Sequence, residues 1–170
     1  GERIESRYQL GEVTGEFEHR DEYYEVHGGW SRGLRGRSVR RWTAGVTYER
    51  DEFAPSPDEV LGGPLPKDRE LLYPWIGVEW VEDSYQERTN QDQILRTEDV
   101  LVGLRAYARV GYAAESVGSD RDALIASAYL LDGADLRSGP SVFGSLSVSG
   151  RIEDGSLQNG IMGAEGRFYW

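Results

Sequence analysis

The chain has 170 residues and a mass of 19.1 kDa, the size of one domain. Its 19 basic and 30 acidic residues give a net charge of −11, which argues against the basic footprint of a nucleic-acid binder. The absence of cysteine excludes a disulfide scaffold and a cysteine-ligated zinc site. No apolar run approaches the ~20 residues of a transmembrane helix. A membrane β-barrel stays open, because its strands are only half apolar and its average hydropathy is ordinary.

From the start of the chain the dominant period is two. Residues 2–7 are charged, unlike the apolar core of a signal peptide. Strands are expected over residues 8–18 and 23–32, joined by a charged turn at 19–22. The next strand sets Trp42, Ala44, Val46 and Tyr48 against Arg41, Thr43, Gly45, Thr47 and Glu49. A long connection over residues 51–70 follows, broken by Pro55, Pro57, Gly62, Gly63, Pro64 and Pro66. Beyond it, Leu72, Pro74, Ile76, Val78 and Trp80 alternate with Trp75, Gly77 and Glu79.

A second long connection, polar and acidic, covers residues 83–99. The clearest alternation then occupies residues 100–112. One face carries Val100, Val102, Leu104, Ala106, Ala108, Val110 and Tyr112, while Leu101, Gly103, Arg105, Tyr107, Arg109 and Gly111 occupy the other. A helix would mix these sets and a strand separates them. Further strands are expected over residues 123–131, 142–152 and 157–170, the last two linked by a turn at 153–156. No segment predicts a helix. The pattern is an all-β antiparallel meander of about eight strands, a single β-barrel region over residues 1–170 that we read as a fragment of a longer chain.

Period two does not say which face is outside. A soluble lipocalin-like barrel binding an apolar ligand turns its apolar residues inward, whereas an outer-membrane barrel turns them to lipid. Three features favour lipid. A strand over residues 100–112 would be about 40 Å long, roughly 28 Å tall at a 45° tilt, near the ~25 Å apolar band of such barrels. Aromatic residues end the apolar faces at Trp42, Tyr48, Trp80 and Tyr112, where amphipathic rings meet headgroups. The opposite faces carry arginine, glutamate, serine and glycine. The expected lumen-facing residues are therefore Arg41, Glu49, Glu79, Arg105 and Arg109. The expected lipid-facing residues are Trp42, Val46, Tyr48, Ile76, Val78, Trp80, Val102, Leu104, Val110 and Tyr112. Those lumen charges either set the charge of an aqueous path or pair across neighbouring strands.

Chemistry-bearing groups are few. His19 and His27 are the only histidines. His27 with Ser31 shares a strand face, the minimal requirement for a barrel lipid hydrolase, in which imidazole takes the hydroxyl proton. The plainer reading is two polar strand-end histidines. Asp51, Glu52, Asp58 and Glu59, and Glu82, Asp83, Glu98 and Asp99, could offer oxygen ligands to calcium, but no Asp-x-Asp-x-Asp-Gly spacing is present. Solvated loop charge accounts for them better. The expectation is a non-enzymatic chain with no catalytic residues, no cofactor and no metal.

The run 73–83 (YPWIGVEWVED) continuing to 90–99 (NQDQILRTED), with 7–13 (RYQLGEV) and 118–124 (GSDRDAL), resembles barrel segments of the bacterial outer-membrane surface-antigen superfamily. That superfamily includes hemolysin secretion/activation proteins and barrel-assembly factors. The resemblance implies a larger barrel in the outer membrane of a Gram-negative bacterium, working in polypeptide secretion or membrane assembly. Its partners would be outer-membrane lipid and an unfolded polypeptide client. The Leu34-Arg35-Gly36-Arg37 run has Arg37 where those proteins carry an aromatic residue, so that loop's role is not carried over.

Overall fold

A computed structural model describes residues 1–56, 64–89, 95–136 and 140–170. Ten strands run in chain order: β1 Glu2–Gln9, β2 Glu12–Arg35, β3 Ser38–Pro55, β4 Arg69–Glu82, β5 Tyr85–Thr89, β6 Thr97–Leu101, β7 Arg105–Ala113, β8 Ala123–Asp135, β9 Ser141–Glu153 and β10 Ser156–Tyr169. Among the described residues one 3₁₀ turn, Glu115–Val117, interrupts the β pattern. Eight strands form one antiparallel sheet in the order β1-β2-β3-β4-β7-β8-β9-β10, and β5-β6 is a separate two-stranded ribbon. The sheet curls into a half-barrel, leaving the outer edges of β1 and β10 unpaired by any described strand. The expected all-β antiparallel meander is what the chain forms.

Two expected strands are redrawn. The first hairpin turns at Leu10 and Gly11, both with positive φ (54° and 89°), not at residues 19–22. Residues 19–22 lie inside β2, which runs 24 residues without a break. Charge interrupts the apolar face of a strand without interrupting its ladder. The alternation over residues 100–112 is also not one strand, because β6 ends at Leu101 and β7 begins at Arg105. Between them the chain folds against the end of β4: Val102 N–H donates to Ser84 C=O at 2.7 Å, and Glu82 N–H to Leu104 C=O at 2.9 Å. A Cβ on Gly103 would stand 2.8 Å from the Ser84 Cβ, so this close approach needs glycine. The length argument built on 13 continuous residues therefore falls away.

Pro74 lies mid-strand without an N–H to give. The β4-β7 register ends beside it, at Trp75↔Gly111. Past that point Ser119 replaces the missing strand. Its hydroxyl accepts from Leu72 N–H and donates to Leu72 C=O, both at 3.0 Å, and Asp120 N–H donates to Glu70 C=O at 2.8 Å.

Burial splits β4 cleanly. Leu71, Tyr73, Trp75, Gly77 and Glu79 are buried, whereas Pro74 and Ile76 are exposed and Leu72, Val78 and Trp80 are half-buried. A curled sheet gathers side chains on its concave side and splays them on its convex side. The first set therefore lines the interior and the second the outer surface. Leu71, Tyr73, Trp75, Ala113 and Ala123 make the core, with Ile125 against it.

Candidate functional site

The interior face is knitted by charge. Register places Glu25 opposite Thr47 and Thr47 opposite Tyr73, with Arg109 opposite Gly77 one strand further on. One Glu25 carboxylate oxygen accepts from Tyr23 OH at 2.7 Å, Thr47 Oγ1 at 2.8 Å and Arg109 Nη1 at 2.9 Å. Its other oxygen lies 3.2 Å from His27 Nδ1. Thr47, fully buried, also accepts from Trp75 Nε1 at 3.0 Å and from Arg109 Nη2 at 3.1 Å. The Arg109 guanidinium stacks 4.1 Å from the Trp75 ring centroid. Gly45 makes the room: a Cβ there would stand 2.9 Å from Trp75 Cζ2 and 2.6 Å from His27 Cβ.

A second clamp holds Glu79, whose Oε2 accepts from Arg41 Nη1 and whose Oε1 accepts from Arg105 Nη2 at 2.9 Å. At the opposite end of the half-barrel, His19 stands between Glu5 (Nδ1 to Oε1, 2.9 Å) and Asp51 (Nε2 to Oδ1, 2.8 Å), stacked 4.6 Å from the Phe53 ring. Asp51 also accepts from Arg69.

The outer face is the reverse. Between the charged row Glu22, Arg50 and Glu70 and the staggered outward charges Arg32, Arg40 and Glu82, the outward positions of β2, β3 and β4 carry no charge. On β7 to β9 the outward positions from Tyr112 to Ala106, Leu124 to Leu130 and Ile152 to Val142 are also uncharged. Aromatic rings border this band: Tyr24 and Tyr48, with centroids 6.2 Å apart, on one side, and Trp30, Trp42 and Trp80 on the other. From Leu72 to Trp80 the band extends about 26 Å along β4, hence roughly 19 Å in height at a 45° tilt. On β8 and β9 it ends at Leu130 and Leu146, because Asp132 faces outward opposite Gly144.

All five expected lumen residues, Arg41, Glu49, Glu79, Arg105 and Arg109, lie on the interior face, and four of them meet in the two clusters around Glu25 and Glu79. Glu49 instead lies 3.8 Å from Arg69. Of the expected lipid-facing residues, Trp42, Val46, Tyr48, Ile76, Val78, Trp80, Val110 and Tyr112 lie on the outer face. Two do not. Val102 is buried in the turn before β7, only 9% exposed, and Leu104 is half-buried beside it, because both precede the strand that would carry them outward.

Glu25, Thr47, Tyr73 and Ser119 are the polar centres that sequence reasoning missed. The first three show no local motif, and only the strand register brings them together. Ser31 Oγ donates to Arg40 C=O at 3.0 Å rather than to His27, so the two residues of the hydrolase reading do not meet. Asp58 and Glu59 lie outside the described residues. Asp51 is engaged by His19 and Arg69, Glu52 by Arg50, and Glu82 by Leu104 N–H. Among the described residues no group of three or more acidic or histidine side chains could hold a metal.

No protein-family model, curated protein or solved structure matches this chain.

Proposed function

We propose that this chain is part of the wall of a bacterial outer-membrane β-barrel, its outer face on lipid and its charged face toward a wet or plugged interior. The observation that carries the reading is the inversion of the usual order. The exposed face is apolar and uncharged between a charged row and a staggered set of charges, while the sheltered face holds Arg–Glu pairs. A water-soluble sheet gains most by burying its apolar face, so this arrangement is stable only where acyl chains replace water. Arg105 or Arg109 turned to lipid near the midplane would cost about 2–4 kcal/mol each. In lipid the two open edges need further strands, either from the same polypeptide or from another chain. The sequence resemblance extends the reading to work: polypeptide secretion or outer-membrane assembly, with an unfolded polypeptide as client.

The test is lipid dependence. In detergent micelles or vesicles the full polypeptide should hold its β-sheet signal, and nitroxide placed in the acyl region should quench Trp42 and Trp80. A protein that stays folded and monodisperse without detergent, its tryptophans unquenched by vesicles, would overturn the reading.

A further inference from the structure

The charge is distributed unevenly. Between Glu25 and Glu49 the chain holds five arginines (Arg32, Arg35, Arg37, Arg40 and Arg41) and no acidic residue, in a protein of net charge −11. All five lie at the β2-β3 hairpin, whose tight turn passes through Gly36 at φ 64°. Arg41 is engaged by Glu79. Among the described residues no carboxylate lies within ion-pair distance of Arg32, Arg35, Arg37 or Arg40, all four exposed. Arg50, Arg69, Arg109, Arg121 and Arg151 each face one.

Position gives these cations a meaning. Trp30 pairs with Trp42, and Arg40, the next outward position after Trp42, pairs with Trp80, so Arg32 and Arg40 stand at the tryptophan border. Arg40 is two residues past Trp42, about 7 Å along the strand. The Arg32 guanidinium carbon lies 5.2 Å from the Trp30 ring centroid, and that of Arg40 lies 5.0 Å from Trp80. These stacks hold the guanidinium planes in place while leaving their N–H edges free. Trp30, Arg32, Arg35, Arg40, Trp42 and Trp80 line a cleft of about 500 Å³ there.

We propose that this cleft binds the phosphate of an anionic lipid headgroup. The chemistry is bidentate guanidinium–phosphate pairing at headgroup depth, with the tryptophan rings flanking the upper acyl chain. The proposal rests on the outer face lying in lipid, which supplies the ligand at high local concentration beside a patch otherwise short of counter-charge.

The experiment compares the full polypeptide with the R32Q/R35Q/R37Q/R40Q variant. Both are reconstituted in phosphatidylcholine vesicles containing a minor fraction of phosphatidylglycerol, and retained lipid is read by native mass spectrometry after detergent extraction. The native protein should retain phosphatidylglycerol at least ~10-fold over phosphatidylcholine, the preference expected of several arginines acting together at a lipid surface. The variant should lose that preference while Trp42 stays quenched by acyl-chain nitroxide, showing insertion intact. R32Q/R40Q, which removes only the two stacked cations, should show an intermediate loss. Equal retention by native protein and both variants would overturn the proposal, as would displacement of the lipid by inorganic phosphate alone at equal concentration, which would mark a free-anion site. Failure of native and variant alike to enter pure phosphatidylcholine vesicles would instead remove the membrane reading and the proposal with it.

Discussion

The interior face of β3, β4 and β7 and that of β9 and β10 follow the same alternation and are filled differently. On β3 and β4 the inward residues are Thr47, Leu71, Tyr73 and Trp75, all nearly inaccessible, with Trp75 Nε1 donating to Thr47 Oγ1. On β9 the inward positions Ser149, Ser147 and Ser145 lie further along the barrel, level with Gly77, Glu79 and Val81 of β4, with Gly163 opposite Ser147 on β10. Ser147 is exposed. The difference follows from curvature and neighbours. At the centre of the curl, side chains from flanking strands converge and large rings find opposing surface, whereas at the β10 margin no described strand closes over the face. The stability of this half-barrel is therefore concentrated in its middle, and the serine face contributes mainly through its backbone ladder.

Trp75→Ala should widen that contrast most. It removes a ring packed over Gly45, a hydrogen bond to Thr47 and the stacking surface of Arg109. A loss of about 3–5 kcal/mol is expected, the usual cost of deleting a buried tryptophan. Ser147→Ala, equally interior by register, should change stability by less than about 0.5 kcal/mol. Urea midpoints in one detergent compare the two directly. Similar effects at both sites would show that the serine face is packed as well, against strands outside these residues.

The second effect is electrostatic. Arg109→Ala leaves the Glu25 carboxylate, 17% accessible, with hydroxyl and imidazole partners but without its guanidinium. Removing one partner of a fully buried pair costs about 3–5 kcal/mol; the residual solvent access here brings the expectation to about 2–3 kcal/mol. Adding Glu25→Gln to Arg109→Ala should restore about 1–2 kcal/mol, a coupling readable in a double-mutant cycle. Additive losses would show that Glu25 and Arg109 act separately, each through its own hydrogen bonds.

The alternation announced the sheet and strands β3, β4, β7, β8, β9 and β10, because period two is a local property of a half-buried strand. It did not separate β1 from β2, and the β5-β6 ribbon fell in an expected connection. The inward side of Arg41, Glu79 and Arg109 was legible for the same reason. Two features were not. The break at Val102 depends on Gly103 closing against Ser84, a contact between segments some twenty residues apart. The Glu25 centre draws on β2, β3, β4 and β7, so it exists only once register is set. Residues 100–112 alternate without fault and still do not form one strand, since alternation reports compatibility with a ladder, whereas neighbouring backbone decides where the ladder stops.

The two margins can also be set against each other, with the smallest expected effect. β10 is held by its ladder to β9, whereas β1 is also tied to β2 and β3 through His19, which lies beyond the Glu22–Arg50–Glu70 row and so outside the apolar band. Carboxylates only accept hydrogen bonds, so flanking both ring nitrogens favours the imidazolium, which donates at each. Burial works against that charge, and Arg3 lies 3.2 Å from Nδ1, with Arg69 further round Asp51. The hydrogen bonds and charges of Glu5 and Asp51 outweigh them, and the His19 pKa is raised above its ordinary 6.5. Hydrogen bonds from His19 and Arg3 hold Glu5 below its ordinary 4.5. The sign follows from linkage. A raised imidazole contributes fully below 6.5 and loses its contribution as pH climbs through the folded value; a lowered carboxylate contributes fully above 4.5 and loses it as pH falls through the folded value. Amide-exchange protection of β1, corrected for intrinsic exchange, should therefore peak between pH 4.5 and 6.5 and decline on both sides. Protection of β10 should show no such peak. His19→Gln should remove the alkaline decline and leave β10 unchanged; an alkaline decline that persists in that variant would show that β1 is secured by its backbone ladder alone.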